Sequence, residues 1–202
     1  MAQRISRAAR VGRNRDQVLA AARRVFLARG YERATLDAIA DDAGFSKGVV
    51  YSQFESKGDL FLALLEERIA ERAAENEAIA KRHTGAEGIA AILRAAREES
   101  EDGRGWRLVL LEFRLHAARD RELNRRYAEA HRRTIAGVAA ALERILADSS
   151  DGFVESARHL ATLVLAFEPG LVLERASDPR SLPQAVAERA FARLIGLREP
   201  GR

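Results

Sequence analysis

No proline interrupts the chain until Pro169, and the three that follow are Pro179, Pro183 and Pro200. Proline removes a backbone donor and crowds the preceding turn, so a long stretch without it, rich in Ala, Leu, Arg and Glu, is free to be helical throughout. The pairs Asp102-Gly103 and Asp151-Gly152 are flanked by helical periodicity, not by alternating runs, so neither reads as a hairpin. The expectation is an all-α chain of about nine helices without a sheet.

Start and stop signals divide the chain. Asn14 with Gln17 opens a first helix on which Val18, Ala21, Ala22, Val25 and Phe26 recur at helical spacing, and Gly30 ends it just before Tyr31. Thr35 caps a short second helix to about Ala43, and Ser46 caps a third over about 47–54. Ser56 with Asp59 forms a capping box for a long fourth helix running to about Arg82. Thr84 with Glu87, and Ser181 with Gln184, open the fifth and ninth helices in the same way. The change from three short helices to six longer ones places a boundary near Glu55-Ser56-Lys57. The reading is a basic, flexible arm (1–13), a three-helix domain (14–55) and a six-helix domain (56–202), joined by the fourth helix.

Charge is distributed unevenly between these parts. Residues 1–57 carry 11 Lys/Arg against 6 Asp/Glu, and residues 58–202 carry 23 against 24. The excess positive charge therefore sits wholly at the N-terminal end, led by Arg4, Arg7, Arg10, Arg13 and Arg15. Such an asymmetry is the footprint of a polyanion-binding module attached to a neutral one. The N-terminus has no apolar h-region and no apolar run is long enough to span a bilayer, so a soluble, cytoplasmic protein is expected. Without cysteine there are no disulfides, thiolate zinc sites or cysteine nucleophiles.

The segment Thr35 to Phe54, TLDAIADDAGFSKGVVYSQF, is the most specific feature. Leu36, Ile39, Ala40 and Ala43 form one apolar stripe, Gly44 allows a sharp left-handed turn, and Phe45 plugs the angle before the next helix. Helix, glycine turn, helix is the helix-turn-helix pattern. On the third helix Val50 and Phe54 share an inward face, leaving Gly48, Val49 and Ser52 opposite, with Tyr51 and Gln53 on the flanks. Ser46, Lys47 and Gly48 stand at its N-terminal end, the part that meets base edges when such a helix enters the major groove. Val49 offers methyl groups to thymine and Gln53 an amide to adenine.

With Arg24-Val25-Phe26, Gly30-Tyr31, Thr35 to Ala40, Ala43 to Gly48, Tyr51, Phe54 and Ser56-Lys57 in one register, residues 14–65 resemble the N-terminal signature of TetR-family transcriptional regulators. The resemblance implies a homodimeric regulator of double-stranded DNA, binding a pseudo-palindromic operator and released from it by a small molecule. It also implies that Thr35, Tyr51 and Lys57 touch the DNA backbone, a task suited to a capped helix N-terminus, a phenol and an ammonium. Val49 and Gln53 depart from the residue types frequent in the family, so no particular operator sequence is inherited.

The resemblance places an effector among helices four to seven. There Trp106, Phe113 and His116 of the sixth helix, and Tyr127 and His131 of the seventh, add aromatic and ionisable character to core-facing stripes. It also implies dimerisation through the helices at about 152–176 and 181–198, whose apolar character exceeds what one core needs; Pro169 is expected to kink the first of them. His83, His116, His131 and His159 lack metal-ligand spacing, and no cofactor motif is present. Nor is there a GxSxG elbow or a phosphate-binding glycine loop, so the chain reads as a non-enzyme. The alternative is an effector-free architectural DNA-binding protein, which needs no ligand cavity.

Overall fold

In the computed structural model the described residues are 7–95, 101–147, 156–178 and positions 180, 182, 183, 186, 187 and 190. Among them there is no strand, and eight helices follow in order. They are α1 (Arg7–Arg33), α2 (Leu36–Ala43), α3 (Lys47–Tyr51), α4 (Lys57–Ala80), α5 (Gly85–Ala95), α6 (Glu101–Ala117), α7 (Arg121–Leu146) and α8 (Ala157–Ser177). A ninth helix at about 181–198 lies outside the described residues, apart from a turn in which the Pro183 carbonyl accepts from the Val186 and Ala187 N–H groups.

The fold divides into two compact units, Met1–Arg68 with Leu108–Tyr127, and Ile69–Arg107 with Ala128–Arg202. The division does not follow the change of helix length near Ser56. The first turns of α4, the C-terminal half of α6 and the start of α7 belong with the helix-turn-helix. Each of these three helices runs unbroken from one unit into the other.

The first unit is built on α1. This helix begins at Arg7, seven residues before the Asn14 signal, so the second half of the expected flexible arm is helical. Arginine and alanine are strong helix formers, and an Asn at an interior position costs too little to stop the helix there. The helix breaks at Gly30, where φ is 75° and ψ is 170°. Val18, Ala21, Ala22, Val25 and Phe26 of α1 are buried with Leu36, Ile39 and Ala40 of α2, and with Val50 and Phe54. Leu60, Phe61 and Leu64 of α4 and Phe113 and Ala117 of α6 are buried in the same unit.

The second unit has its own apolar core. Ala80, Ile89, Ile92, Ile135, Val138, Leu142, Ile145 and Leu160 form a buried cluster drawn from α4, α5, α7 and α8. Helix α8 starts at Ala157, where the Ser156 hydroxyl caps it by accepting from the His159 N–H, and it continues across Pro169 to Ser177. That start is later than the Gly152 read from sequence; residues 148–155 are outside the described set.

Helix α5 approaches α7 at Gly88, which has no side chain to hold them apart. A Cβ there would lie 2.6 Å from Ile145 Cγ2 and 2.9 Å from the His83 carbonyl oxygen. Gly88→Ala is therefore expected to lower stability by about 1–3 kcal/mol through overpacking. Urea unfolding of wild type and variant measures it; equal stabilities would mean that the two helices separate without cost.

Candidate nucleic-acid interface

The helix-turn-helix is fixed by local chemistry at each end of α2. Thr35 has extended backbone (φ −132°, ψ 153°), and its Oγ1 accepts from the Ala38 N–H at 3.1 Å. At the other end Gly44 adopts φ 70°, ψ 25°. Its N–H donates to the Asp41 carbonyl at 3.2 Å, and the Phe45 N–H to the Ala40 carbonyl at 3.0 Å. Those two bonds are a Schellman cap, which closes the helix and redirects the chain into α3. On the outside, Arg24 of α1 donates through Nε and Nη2 to Asp42 Oδ2 at 3.0 and 2.6 Å, tying α2 to α1.

Helix α3 is shorter than the 47–54 read from sequence. Regular helix stops at Tyr51, and the next residues form turns in which the Gln53 and Phe54 N–H groups both donate to the Val50 carbonyl at 3.0 Å. The inward and outward faces are as the periodicity predicts: Val50 is fully buried and Phe54 nearly so. Ser46, Lys47, Gly48, Tyr51 and Ser52 are exposed, and Val49 is half-buried. No atom stands within 4 Å of a Cβ built on Gly48, so this turn of the helix presents bare backbone to its surroundings. Ser46 has cap geometry but its side chain makes no capping hydrogen bond.

Asp37 draws the two helices' exposed residues together. Lys47 Nζ lies 2.5 Å from Asp37 Oδ2, and the Tyr51 hydroxyl donates to Asp37 Oδ1 at 3.4 Å. The hydrogen bond to Asp37, and then its charge, hold the Lys47 ammonium above the ordinary lysine range. Lys47 and Tyr51 thus share one carboxylate, two residues after the Thr35 cap of α2. Ser52 turns its hydroxyl back to the Val49 carbonyl at 2.8 Å.

Two of the sequence-predicted residues are placed differently. Gln53 is half-buried: its Nε2 donates to the Val49 carbonyl at 3.3 Å, and its Oε1 is buried with no hydrogen-bond partner. Lys57 is turned toward the end of α1. Its Nζ donates to the Tyr31 carbonyl at 2.7 Å and the Glu32 carbonyl at 3.0 Å, and sits 4.4 Å from the centre of the Tyr31 ring. Burial moves its pKa below the ordinary lysine range.

Sequence reasoning missed the partners of that end of α1. The Tyr31 N–H donates to Glu112 Oε2 at 2.6 Å, and His116 Nδ1 lies 3.1 Å from Glu32 Oε1. The Tyr31 ring is buried against Phe26, Phe61, Phe113 and His116, and burial raises its phenol pKa well above the usual range. Nearby, Asp59 pairs with Arg126 and accepts from the Ser56 hydroxyl at 2.7 Å. Burial pushes the Asp59 carboxyl up, but these bonds outweigh it and hold the pKa below the usual carboxylate range.

The residues read as effector-binding fall in both units. Phe113 is fully buried, with Phe61 at 4.4 Å, Tyr31 at 5.2 Å and Tyr127 at 5.6 Å between ring centres. It, His116 and Tyr127 serve the aromatic cluster of the first unit. Trp106, which is buried, and His131, half-buried, belong to the second. Among the described residues no group of three His, Cys, Asp or Glu is arranged to hold a metal ion. No helix among them is long and apolar enough to cross a membrane.

The family model for bacterial regulatory proteins of the tetR family matches residues 18–64, the segment just described. That for the C-terminal domain of BetI-type transcriptional repressors matches residues 85–197, more than half the chain. The chain belongs to the TetR family. It is similar to the transcriptional activator FasR of Mycolicibacterium smegmatis, with 51% identity over 55 residues, 27% of this chain and 25% of that protein. It is also similar to the transcriptional repressor AcnR of Corynebacterium glutamicum, with 34% identity over 103 residues, 50% of this chain and 48% of that one. The similarity therefore spans at most about half the length of these two relatives. A solved structure of a transcriptional regulator from Rhodococcus sp. Rha1 superposes with a TM-score of 0.68 at 26% identity, covering 90% of this chain and 94% of that one.

Lys57 and Lys47 should behave oppositely on truncation. Lys57→Ala strips a cation from two carbonyls and is expected to cost about 1–3 kcal/mol. Lys47→Ala removes an exposed ion pair, which solvent screens, and should leave the unfolding midpoint unchanged. Urea titrations decide; an unaltered midpoint for Lys57→Ala would contradict its placement at α1.

Proposed function

We propose that the chain is a sequence-specific, DNA-binding transcriptional repressor that acts as a homodimer in the cytoplasm and leaves its operator when a small molecule binds. The observation that carries this reading is the exposed face of the capped helix-turn-helix. Thr35, Ser46, Lys47, Gly48, Val49, Tyr51 and Ser52 are gathered at the start of α2 and along α3.

The face suits DNA for physical reasons. Gly48 and Ser52 let the α3 backbone approach base edges, and Val49 offers methyl groups to thymine. Thr35 and Tyr51 are the residues assigned to phosphates. Lys47 is paired with Asp37 in the free protein, so a phosphate or base must compete with that carboxylate for it. Gln53 joins the readout after leaving its half-buried position, and Lys57 acts on DNA through the end of α1 that it holds. In this reading residues 14–55 read DNA and residues 56–202 dimerise and bind the effector.

The repressor assignment rests on where the similarities lie. The likeness to FasR covers only 55 residues, little more than a DNA-reading head, whereas that to AcnR covers 103. For dimerisation, Leu163 and Leu173 stand 40% and 52% exposed on α8, apolar surface that a second copy would cover. The effector is assigned to the second unit, with Trp106 and His131 as its aromatic and ionisable contacts and a mainly apolar small molecule as its class.

Selection of bound sequences from random duplex DNA tests the reading. It is expected to return one pseudo-palindromic site with half-sites about one helical turn, ~10 bp, or somewhat more apart. Affinity for that site should fall steeply with salt, because bound phosphates release counterions. No enriched sequence, or a monomer in analytical ultracentrifugation at micromolar concentration, would contradict it. For the effector, a library of apolar molecules bearing one or two polar groups should contain some that raise the melting temperature and weaken operator binding. Trp106→Ala should diminish both effects, and a library with no such compound would favour the effector-free reading.

A further inference from the structure

The backbone of Tyr31 is held from both sides by charged groups on different helices. Its N–H donates to Glu112 Oε2 of α6 at 2.6 Å, and its carbonyl accepts from Lys57 Nζ of α4 at 2.7 Å. The preceding residue, Gly30, needs its glycine twice over. Its φ of 75° is a left-handed value that other residues adopt at a cost, and a Cβ there would lie 2.7 Å from the same Glu112 oxygen. The carboxylate thus occupies the space that the missing side chain leaves and uses it to cap the bend. Thr35, four residues after Tyr31, caps α2, so the helix-turn-helix begins close to the bend.

We propose that Glu112 is a positioning residue for DNA binding: from α6 it holds the Gly30–Tyr31 bend, and so sets the pose in which α2 and α3 meet the duplex. The proposal rests on the DNA-reading function proposed above, and Glu112 acts in it without touching DNA. Helix α6 runs unbroken from Glu101 to Ala117, so the carboxylate rides on the same element as Trp106. A helix shift of ~1–2 Å, the size usual in switching proteins, takes a short hydrogen bond past its useful range.

The probe for the test is the duplex that the wild-type chain selects from random-sequence DNA. Glu112→Ala is expected to bind it about tenfold more weakly, the effect of losing one hydrogen bond to a charged group. Affinity for an unrelated duplex of equal length, which reports charge alone, should stay within about twofold. Glu112→Gln keeps an oxygen acceptor and should recover most of the loss. A purely stabilising role would lower both affinities together, in proportion to the folded fraction that far-UV circular dichroism reads at the assay temperature. Wild-type operator affinity in Glu112→Ala overturns the proposal, and so does a loss shared by both duplexes. Should Glu112→Ala fail to fold, Glu112→Asp takes its place, with the carboxylate drawn back by one methylene and the same outcomes. A wild-type chain that selects no sequence would overturn the DNA-reading function itself, before any variant is made.

Discussion

The hydrogen bond from the Tyr31 N–H to Glu112, with the Lys57 ammonium on the Tyr31 carbonyl, joins residues more than twenty positions apart in sequence. Each bond has a charged partner and contributes about 1.5–3 kcal/mol, more than a neutral pair in the same place. Burial of the Tyr31 ring adds a contribution of similar size, and its neighbours Phe26, Phe61 and Phe113 meet it edge-on or stacked. Exposed pairs elsewhere in the unit, such as Lys47 with Asp37, are screened by solvent and cannot substitute for it. The position of α1's end, and with it the start of α2, follows from these few contacts.

The face proposed to read DNA is set by short-range chemistry. Thr35 and Gly44 cap α2 from its two ends, and Val50 and Phe54 turn the opposite side of the third helix outward. What the face touches in the free protein is modest: one carboxylate, Asp37, between Lys47 and Tyr51.

This division explains what the sequence disclosed. The bounds of α2, the turn at Gly44 and the burial of Val50 depend on neighbours within about four residues, and periodicity and capping residues reported them. The break at Gly30 was legible for the same reason, but its cause was not, since Glu112 lies 82 residues further along. Lys57 read as a contact to the DNA backbone, and its bonds to the Tyr31 and Glu32 carbonyls were not legible because those partners leave no signature in residue type. Phe113, read as an effector contact, packs against Phe61, Tyr31 and Tyr127, ring neighbours that the periodicity of an aromatic stripe does not name. Asn14 misplaced the start of α1 because a capping residue inside an arginine- and alanine-rich helix costs too little to end it.

Amide hydrogen exchange at Tyr31 in the free protein tests the account most directly. An N–H bonded to a half-buried carboxylate, beside a ring packed in the core, is expected to exchange only when the cluster opens. The account predicts protection at Tyr31 equal to that of the Phe26 amide in the core of α1. A Tyr31 amide that exchanges as fast as the exposed N–H groups of a fraying helix end would show that Glu112 does not hold the bend, and would contradict the account.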